Sequence, residues 1–545
     1  MTSPHHLLTV AVEDYFQTAG LAPWIGVDRW ARLESRVEVG TRRTLDLLDE
    51  FGIRATFFVL GWVAERAPGL VREISARGHE IASKGYLPRY FRTMSRDEFR
   101  EDLLRTRDAL ERASGLAVLG HRVARGHMGP EDAWALELLA REGFRYDSSF
   151  FPRGASLLHE PWRRLPHRLD FEGRQLWEMP LSSAGPRFAM VPIAGGNYMR
   201  QLPYAVHSHL LARWQRKHDA PFNLYFNVWE LDPELPRISA ADWLARLRQY
   251  RNVGDVAERL RRYFSRYRFQ PIREHLKLAP EPAREALAGQ RTAAAAIVSD
   301  GPAEDVTVIV PCYNEEQTLS YLVNALDAVK AELLPRWRLR FLFVDDASRD
   351  GTAAALAKVV ASRRDAVLIR HPENRGVAAA ILTGIRGATT SIVASIDCDC
   401  TYDPSQLGQL LPRLTDDVAM VTASPYHREG AVRGVPGWRL FLSRGLSLLY
   451  RLTTRQRFAT YTSCFRVYRR ARVADVEVQH GGFLGIAETL VLLDRRGERI
   501  AEQPARLEVR LFGESKMRTA STIFGHLRLL ARLGPARAAR RHSTP

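Results

Sequence analysis

Apolar runs that stop abruptly at acidic residues recur through the second half of this chain. Val306, Val308, Ile309 and Val310 form a β-branched run that breaks at Pro311 into the polar turn Tyr313-Asn314-Glu315-Glu316. Phe341 to Val344 ends in Asp345 and Asp346, and Ile392 to Ile396 ends in Asp397-Cys398-Asp399. Helical stretches separate these strands, so the pattern predicts an α/β unit with a parallel sheet and one acidic rim. The first half alternates in the same way. Strands are expected at Leu7 to Val12, Ile53 to Leu60 and Gly78 to Tyr86, with helices at Val37 to Glu50 and Arg96 to Ala113. Between the halves, residues 280–303 are rich in Pro and Ala with few large apolar side chains, which reads as a linker. The expected division is 1–279, 280–303, 304–535 and a basic tail at 536–545.

A chain of 545 residues is too long for one ordinary core. No apolar run reaches the roughly 18–20 residues that span a bilayer. Met1-Thr2-Ser3-Pro4-His5-His6 does not read as a cationic leader before an apolar core, so a cytoplasmic location is expected. The four cysteines, Cys312, Cys398, Cys400 and Cys464, all lie in the second half and do not suggest a disulfide framework. The net charge of +17 calls for an explanation, yet no basic run interleaved with aromatics points to nucleic acid. Arginines are densest in two amphipathic stretches. Arg433 to Arg457 includes Trp438, Phe441, Leu448 and Tyr450, and Ile523 to Leu533 is followed by Arg537, Arg540 and Arg541. Such helices can lie on anionic headgroups or pack their apolar stripe on their own domain.

Paired carboxylates at a strand end suit Mg²⁺ or Mn²⁺, hard cations that leave coordination positions open for a diphosphate. Asp397 and Asp399 are the candidate metal ligands. With the ordered motifs at 305–316, 341–352, 371–376 and 391–404, residues 304–535 resemble a family 2 glycosyltransferase of the GT-A (Rossmann-like) fold, close to the dolichyl-phosphate mannosyltransferase type. The resemblance implies that Pro311, Tyr313, Glu315, Asp346, Asp397 and Lys516 bind a UDP- or GDP-sugar donor. It implies a catalytic set of Asp399, Glu488 and Arg466, with Arg466 pairing a phosphate and Lys516 lying on a flexible basic loop, Gly513 to Met517. Glu488 reads either as a site acid or as the partner of a nearby arginine. A polyprenyl phosphate acceptor is already anionic and needs positioning rather than a general base, and no base stands out here.

Tyr146-Asp147-Ser148-Ser149, Leu176 to Leu181 and the segment Tyr250 to Leu276 make the first half similar to NodB-type polysaccharide deacetylases of the exopolysaccharide-export branch, which implies a distorted (β/α) barrel. That family uses a metal-bound water, an Asp base and a His acid. Here Lys84 and Pro88 stand at the histidine positions, Ala11 at the aspartate beside Glu13 and Asp14, and Asn227 at the acid histidine, while Arg122 is kept. No zinc and no deacetylase activity are expected of this half, which would serve as scaffold or sugar-binding module. Two further readings stay open: the same transferase acting on a soluble hydroxyl acceptor, and a hydrolase or sugar-binding function carried by the first half. The leading expectation is a metal-dependent transferase at the inner face of the membrane, in peripheral contact with anionic lipid.

Overall fold

The computed structural model describes residues 5–151, 161–184, 191–193, 195–283, 303–334, 336–434, 437–513 and 519–534. Two compact units emerge. One comprises Met1–Gly26, Ser35–Pro236 and Asp242–Thr292, the other Val27–Glu34, Arg237–Ala241 and Ala293–Pro545. Two short pieces of the first half of the sequence therefore cluster with the second unit, where a contiguous division had been expected. Leu116 bridges Pro282, and the amides of Ala117 and Ala283 donate to Glu281 and Gly115. The first unit thus runs at least to Ala283 rather than ending at 279.

The first unit is built on β1 (His5–Val12), β2 (Thr56–Val59), β3 (Glu80–Ser83), β4 (Gly120–His121), β5 (Tyr146–Asp147), β6 (His167–Phe171), β7 (Arg174–Glu178), β8 (Asn223–Asn227) and β9 (Arg268–Gln270). They pair in the order β8-β1-β2-β3-β4-β5-β7-β6, with β9 also on β1. Every pairing is parallel except the β6–β7 hairpin. This is the distorted β/α barrel of a deacetylase-like domain. From Leu7 to Val12, β1 is buried throughout, as expected for a barrel strand covered by helices outside and by packed side chains inside. Helix α1 (Val37–Glu50) follows β1 and turns Leu45 and Leu48 into the core. Helix α2 (Arg96–Ser114) shows why its sequence stops where it does: Ser95 and Glu98 form a reciprocal capping box, and Gly115 closes the helix at φ 73°.

The second unit holds β10 (Glu304–Cys312), β11 (Trp337–Asp345), β12 (Ala366–Arg370), β13 (Ile392–Ser395), β14 (Val418–Ser424), β15 (Arg466–Arg469) and β16 (Arg499–Pro504). The order is β12-β11-β10-β13-β15-β14-β16, the arrangement of a GT-A-like domain. The four strands β12, β11, β10 and β13 run parallel, whereas β15 is antiparallel to both neighbours. The chain leaves β10 toward β11 on one side and returns as β13 on the other, which makes the carboxyl end of β10 a topological switch point. Helices α3 (Leu319–Leu333), α4 (Thr352–Ala361) and α5 (Val377–Gly387) supply the crossovers. The segment 433–457 forms α6 (Gly437–Tyr450), a buried stretch near the cleft forms α7 (Phe483–Arg495), and the basic C-terminal stretch forms α8 (Thr519–Leu533).

Helix α5 lies close against β10 because Gly384 has no side chain: an added Cβ would stand 2.4 Å from Ile309 Cγ2. Gly384→Val is expected to lower stability by about 1–3 kcal/mol through overpacking, read as a fall in the urea midpoint. An unchanged midpoint would show that this contact does not set the packing of α5.

Candidate functional site

At the carboxyl ends of β10, β11 and β13 lies a cavity of about 330 Å³ lined by Pro311, Tyr313, Glu315, Asp346, Asp397 and Asp399, among others. Each strand delivers its residues for one reason: the apolar run ends at the sheet rim, and the next residues must face solvent or one another. The β10–β13 register, Ile309 opposite Ser395, carries Cys312 alongside Cys398, with the two sulfurs 3.7 Å apart. All four cysteines are buried as free thiols.

The acids are held differently from one another. Asp346 accepts from Nδ1 of His371 at 2.7 Å, from the Arg375 amide at 2.8 Å and from the Gly376 amide at 2.7 Å. His371 in turn reaches Thr383 on α5. Asp346 therefore fixes the 371–376 loop as well as lining the cavity. Burial, with Asp399 beside it, pushes the Asp397 carboxyl up to about 7. Burial also raises Asp399, whose Oδ1 caps the Thr401 amide at 3.0 Å. Glu315 accepts from the Thr318 hydroxyl at 2.9 Å. Among the described residues, no group of three or more His, Cys, Asp and Glu is placed to hold a metal alone. Two carboxylates one residue apart at a strand end nevertheless fit a Mg²⁺ or Mn²⁺ whose remaining ligands come from phosphate and water.

Two residues expected at the site, Arg466 and Glu488, stand elsewhere. Arg466 opens β15 and is fully buried; its Nη1 donates to the Ile486 carbonyl at 2.8 Å and its Nη2 to that of Tyr461 at 2.7 Å. An arginine so enclosed does not meet an acceptor phosphate. Glu488 is also buried, accepting from the Gln479 and His480 amides and from the His480 ring at 3.0 Å, with Arg532 at 3.4 Å. It holds the 479–482 loop from behind rather than facing the cavity, which is the arginine-partner role of the two left open. The loop matters because Gly481 packs closely on the 371–376 loop: a Cβ on Gly481 would lie 1.9 Å from the Arg375 carbonyl oxygen. Lys516 lies outside the described residues.

Arg510, which the sequence reading passed over, lines the cavity with Asn374, Gly376 and Phe483. It pairs with Glu315 and lies 3.4 Å from Asp399 Oδ2. Its one sequence signal is a basic residue inside the apolar run Val509-Arg510-Leu511, just ahead of the basic loop.

In the first unit, Glu13, Lys84, Arg122 and Asn227 follow or end β1, β3, β4 and β8 on one rim. Lys84 Nζ donates to Glu13 Oε2 at 2.5 Å, with both side chains at least nine-tenths buried. Burial pulls the Lys84 ammonium down, and Glu13 opposes that shift. Asp14 caps the entry to α1, accepting from Ser35 Oγ at 2.6 Å and from the Arg36 and Val37 amides. Burial raises its carboxyl to about 6. Arg122 donates to Ser148 and Thr9 over the Phe58 ring, and Ala11 sits in register with Asn227. Pro88 is buried.

The cavity lies at the topological switch point of an α/β sheet, where open sheets of this kind bind ligands. Residues 307–476 match the model of glycosyl transferase family 2, residues 33–146 that of polysaccharide deacetylase, and residues 148–277 a domain of unknown function, DUF3473. One chain thus joins a region that matches polysaccharide deacetylases to a region that matches family 2 glycosyltransferases. Dolichol-phosphate mannosyltransferase of Pyrococcus furiosus is 27% identical over 230 residues, 42% of this chain and 63% of that protein. Polyprenol monophosphomannose synthase of Mycolicibacterium smegmatis is 28% identical over 225 residues, 40% of this chain and 82% of its own. This chain therefore spans less than two thirds of the archaeal relative. Glucosyl-3-phosphoglycerate synthase from Mycobacterium tuberculosis, solved with Mn²⁺, UDP and phosphoglyceric acid, superposes with a TM-score of 0.34 at 18% identity, over 43% of this chain and 80% of that one.

Removing one partner of the Glu13–Lys84 pair leaves a buried charge. Lys84→Met should therefore cost about 3–5 kcal/mol, and adding Glu13→Gln should recover part of that. Additive losses in a double-mutant cycle would show that the two side chains are not coupled.

Proposed function

We propose that this chain transfers a sugar from a UDP- or GDP-sugar to a polyprenyl phosphate in its second unit, and that the first unit no longer deacetylates. One observation carries the donor half of this reading. Residues from three separate strand ends, Pro311 to Glu315, Asp346 and Asp397 to Asp399, meet in one cavity at the switch point of the sheet. In the reading, Tyr313 and Asp346 border the nucleoside, and Asp397 and Asp399 face the diphosphate. A bound Mg²⁺ or Mn²⁺ would supply charge neutralisation for the leaving nucleoside diphosphate. The chain's own part is to hold two carboxylates at fixed spacing and to shape the walls through the 371–376 and 479–482 loops.

The acceptor half rests on a surface of the same unit. Phe441, Leu448 and Leu452, on and just after α6, and Phe524 and Leu527 on α8 are exposed. Arg444, Arg451, Arg528 and Arg532 share those segments. Tyr450 and His526 join the two helices at 2.7 Å. Gly525 of α8 lies against Leu484, the neighbour of Phe483 in the cavity wall. Exposed apolar side chains among arginines suit an anionic bilayer carrying a lipid phosphate. Among the described residues no helix is long and apolar enough to cross a membrane, so contact in this reading is peripheral. For the first unit, the Lys84 ammonium beside Glu13 places a cation where the deacetylase metal belongs, and supports an inert site.

Asp399→Ala should lower transfer from UDP- or GDP-hexose to polyprenyl phosphate by at least about 10²-fold, the scale of a lost electrostatic contact to a leaving group, with the melting temperature kept. Undiminished turnover with Mn²⁺ supplied removes Asp399 from the reaction. Sedimentation with vesicles tests the acceptor side. Binding to anionic vesicles should weaken as salt rises and after Phe441→Asp with Phe524→Asp. Transfer to a water-soluble hydroxyl acceptor with no vesicle binding would move the proposal to that acceptor class.

A further inference from the structure

The donor cavity already contains a cation of the protein's own. Arg510 reaches in from the segment after β16 and is clamped at three points. It pairs with Glu315, its Nη1 lies 3.4 Å from Asp399 Oδ2, and its Nε donates to the Phe512 carbonyl at 2.7 Å. Its side chain is 16% exposed. The turn is shaped around it: Gly513, at φ 69°, would place a Cβ only 3.1 Å from Arg510 Nη2. The guanidinium therefore holds an oxygen of Asp399 that a divalent ion would need, inside a cluster of carboxylates that would otherwise repel one another.

We propose that Arg510 is a tethered counter-cation that competes with the divalent metal for Asp399 and yields when a nucleoside diphosphate arrives. The inference rests on the reading of this cavity as the donor site and adds a rule for its loading. Two cations cannot share the same carboxylate oxygens without mutual repulsion, so a metal entering alone must part Arg510 from Asp399 and leave the guanidinium with Glu315, bringing no new anion to it. A diphosphate supplies one, since a guanidinium pairs with phosphate oxygens in a bidentate manner. Metal and nucleotide then each strengthen the other's binding, as linkage between two sites requires. Arg510 is a positioning residue in this scheme: it sets the order and coupling of loading and takes no part in bond making.

The test is Mn²⁺ binding to the full chain, followed by electron paramagnetic resonance of the free ion, alone and with UDP or GDP. In the unaltered protein the nucleotide should tighten Mn²⁺ binding by about tenfold or more, within the range of ordinary site coupling. Arg510→Gln should bind Mn²⁺ alone more tightly by a similar factor and lose most of the coupling, whereas Arg510→Lys should keep part of it. Weaker or unchanged Mn²⁺ binding in Arg510→Gln, or nucleotide-independent affinity in the unaltered protein, overturns the proposal. If Arg510→Gln does not fold, the unaltered protein and Arg510→Lys decide the matter through the coupling alone. A chain that binds Mn²⁺ but neither nucleotide would instead refute the donor-site reading itself.

Discussion

Carboxylates crowded onto one sheet rim cannot all be charged unless a cation lies among them, and the second unit is organised around that constraint. Parallel strands that end together deliver Glu315, Asp346, Asp397 and Asp399 to one place. The structure answers with different partners for each. Asp346 draws backbone amides and His371, Glu315 and Asp399 draw Arg510, and Asp397 is driven toward protonation by burial and by its neighbour Asp399. In the proposed reading, the same crowding that is costly in isolation is what would make the rim a receptor for Mg²⁺ or Mn²⁺ and a diphosphate.

The first unit meets the same electrostatic problem in the opposite way. Its rim also follows the ends of parallel strands, but Glu13 is paired with Lys84 and Asp14 is occupied by a helix entry. Lys84 is at least nine-tenths buried against Glu13, so the proposal of an inert barrel rests on that enclosed pair rather than on loss of fold. In the proposed reading the two rims differ in whether the cation beside the acids yields when a ligand arrives.

The strand-end motifs of the second unit were legible in the sequence because each is an apolar run with an abrupt polar or acidic stop, and residues from each line the cavity. Helix α1 was legible to the residue from its apolar spacing. Arg466 was not, because β15 runs antiparallel and its two Nη groups donate to carbonyls twenty residues ahead and five behind, a pattern no local reading contains. Glu488 was ambiguous for the same reason: its partners come from a neighbouring loop and from α8. Arg510 was missed because its meaning arises only when the segment after β16 returns to the rim of β10 and β13.

The central claim is that the rim between β10 and β13 holds a divalent metal together with a nucleoside diphosphate. Crystals grown with Mn²⁺ and UDP or GDP, measured at the manganese absorption edge, test it most directly. The account predicts an anomalous peak bridging Asp397 or Asp399 and the diphosphate, with the nucleoside against Tyr313 and Asp346. Nucleotide bound away from this rim, or bound here with no manganese at either carboxylate, would contradict it.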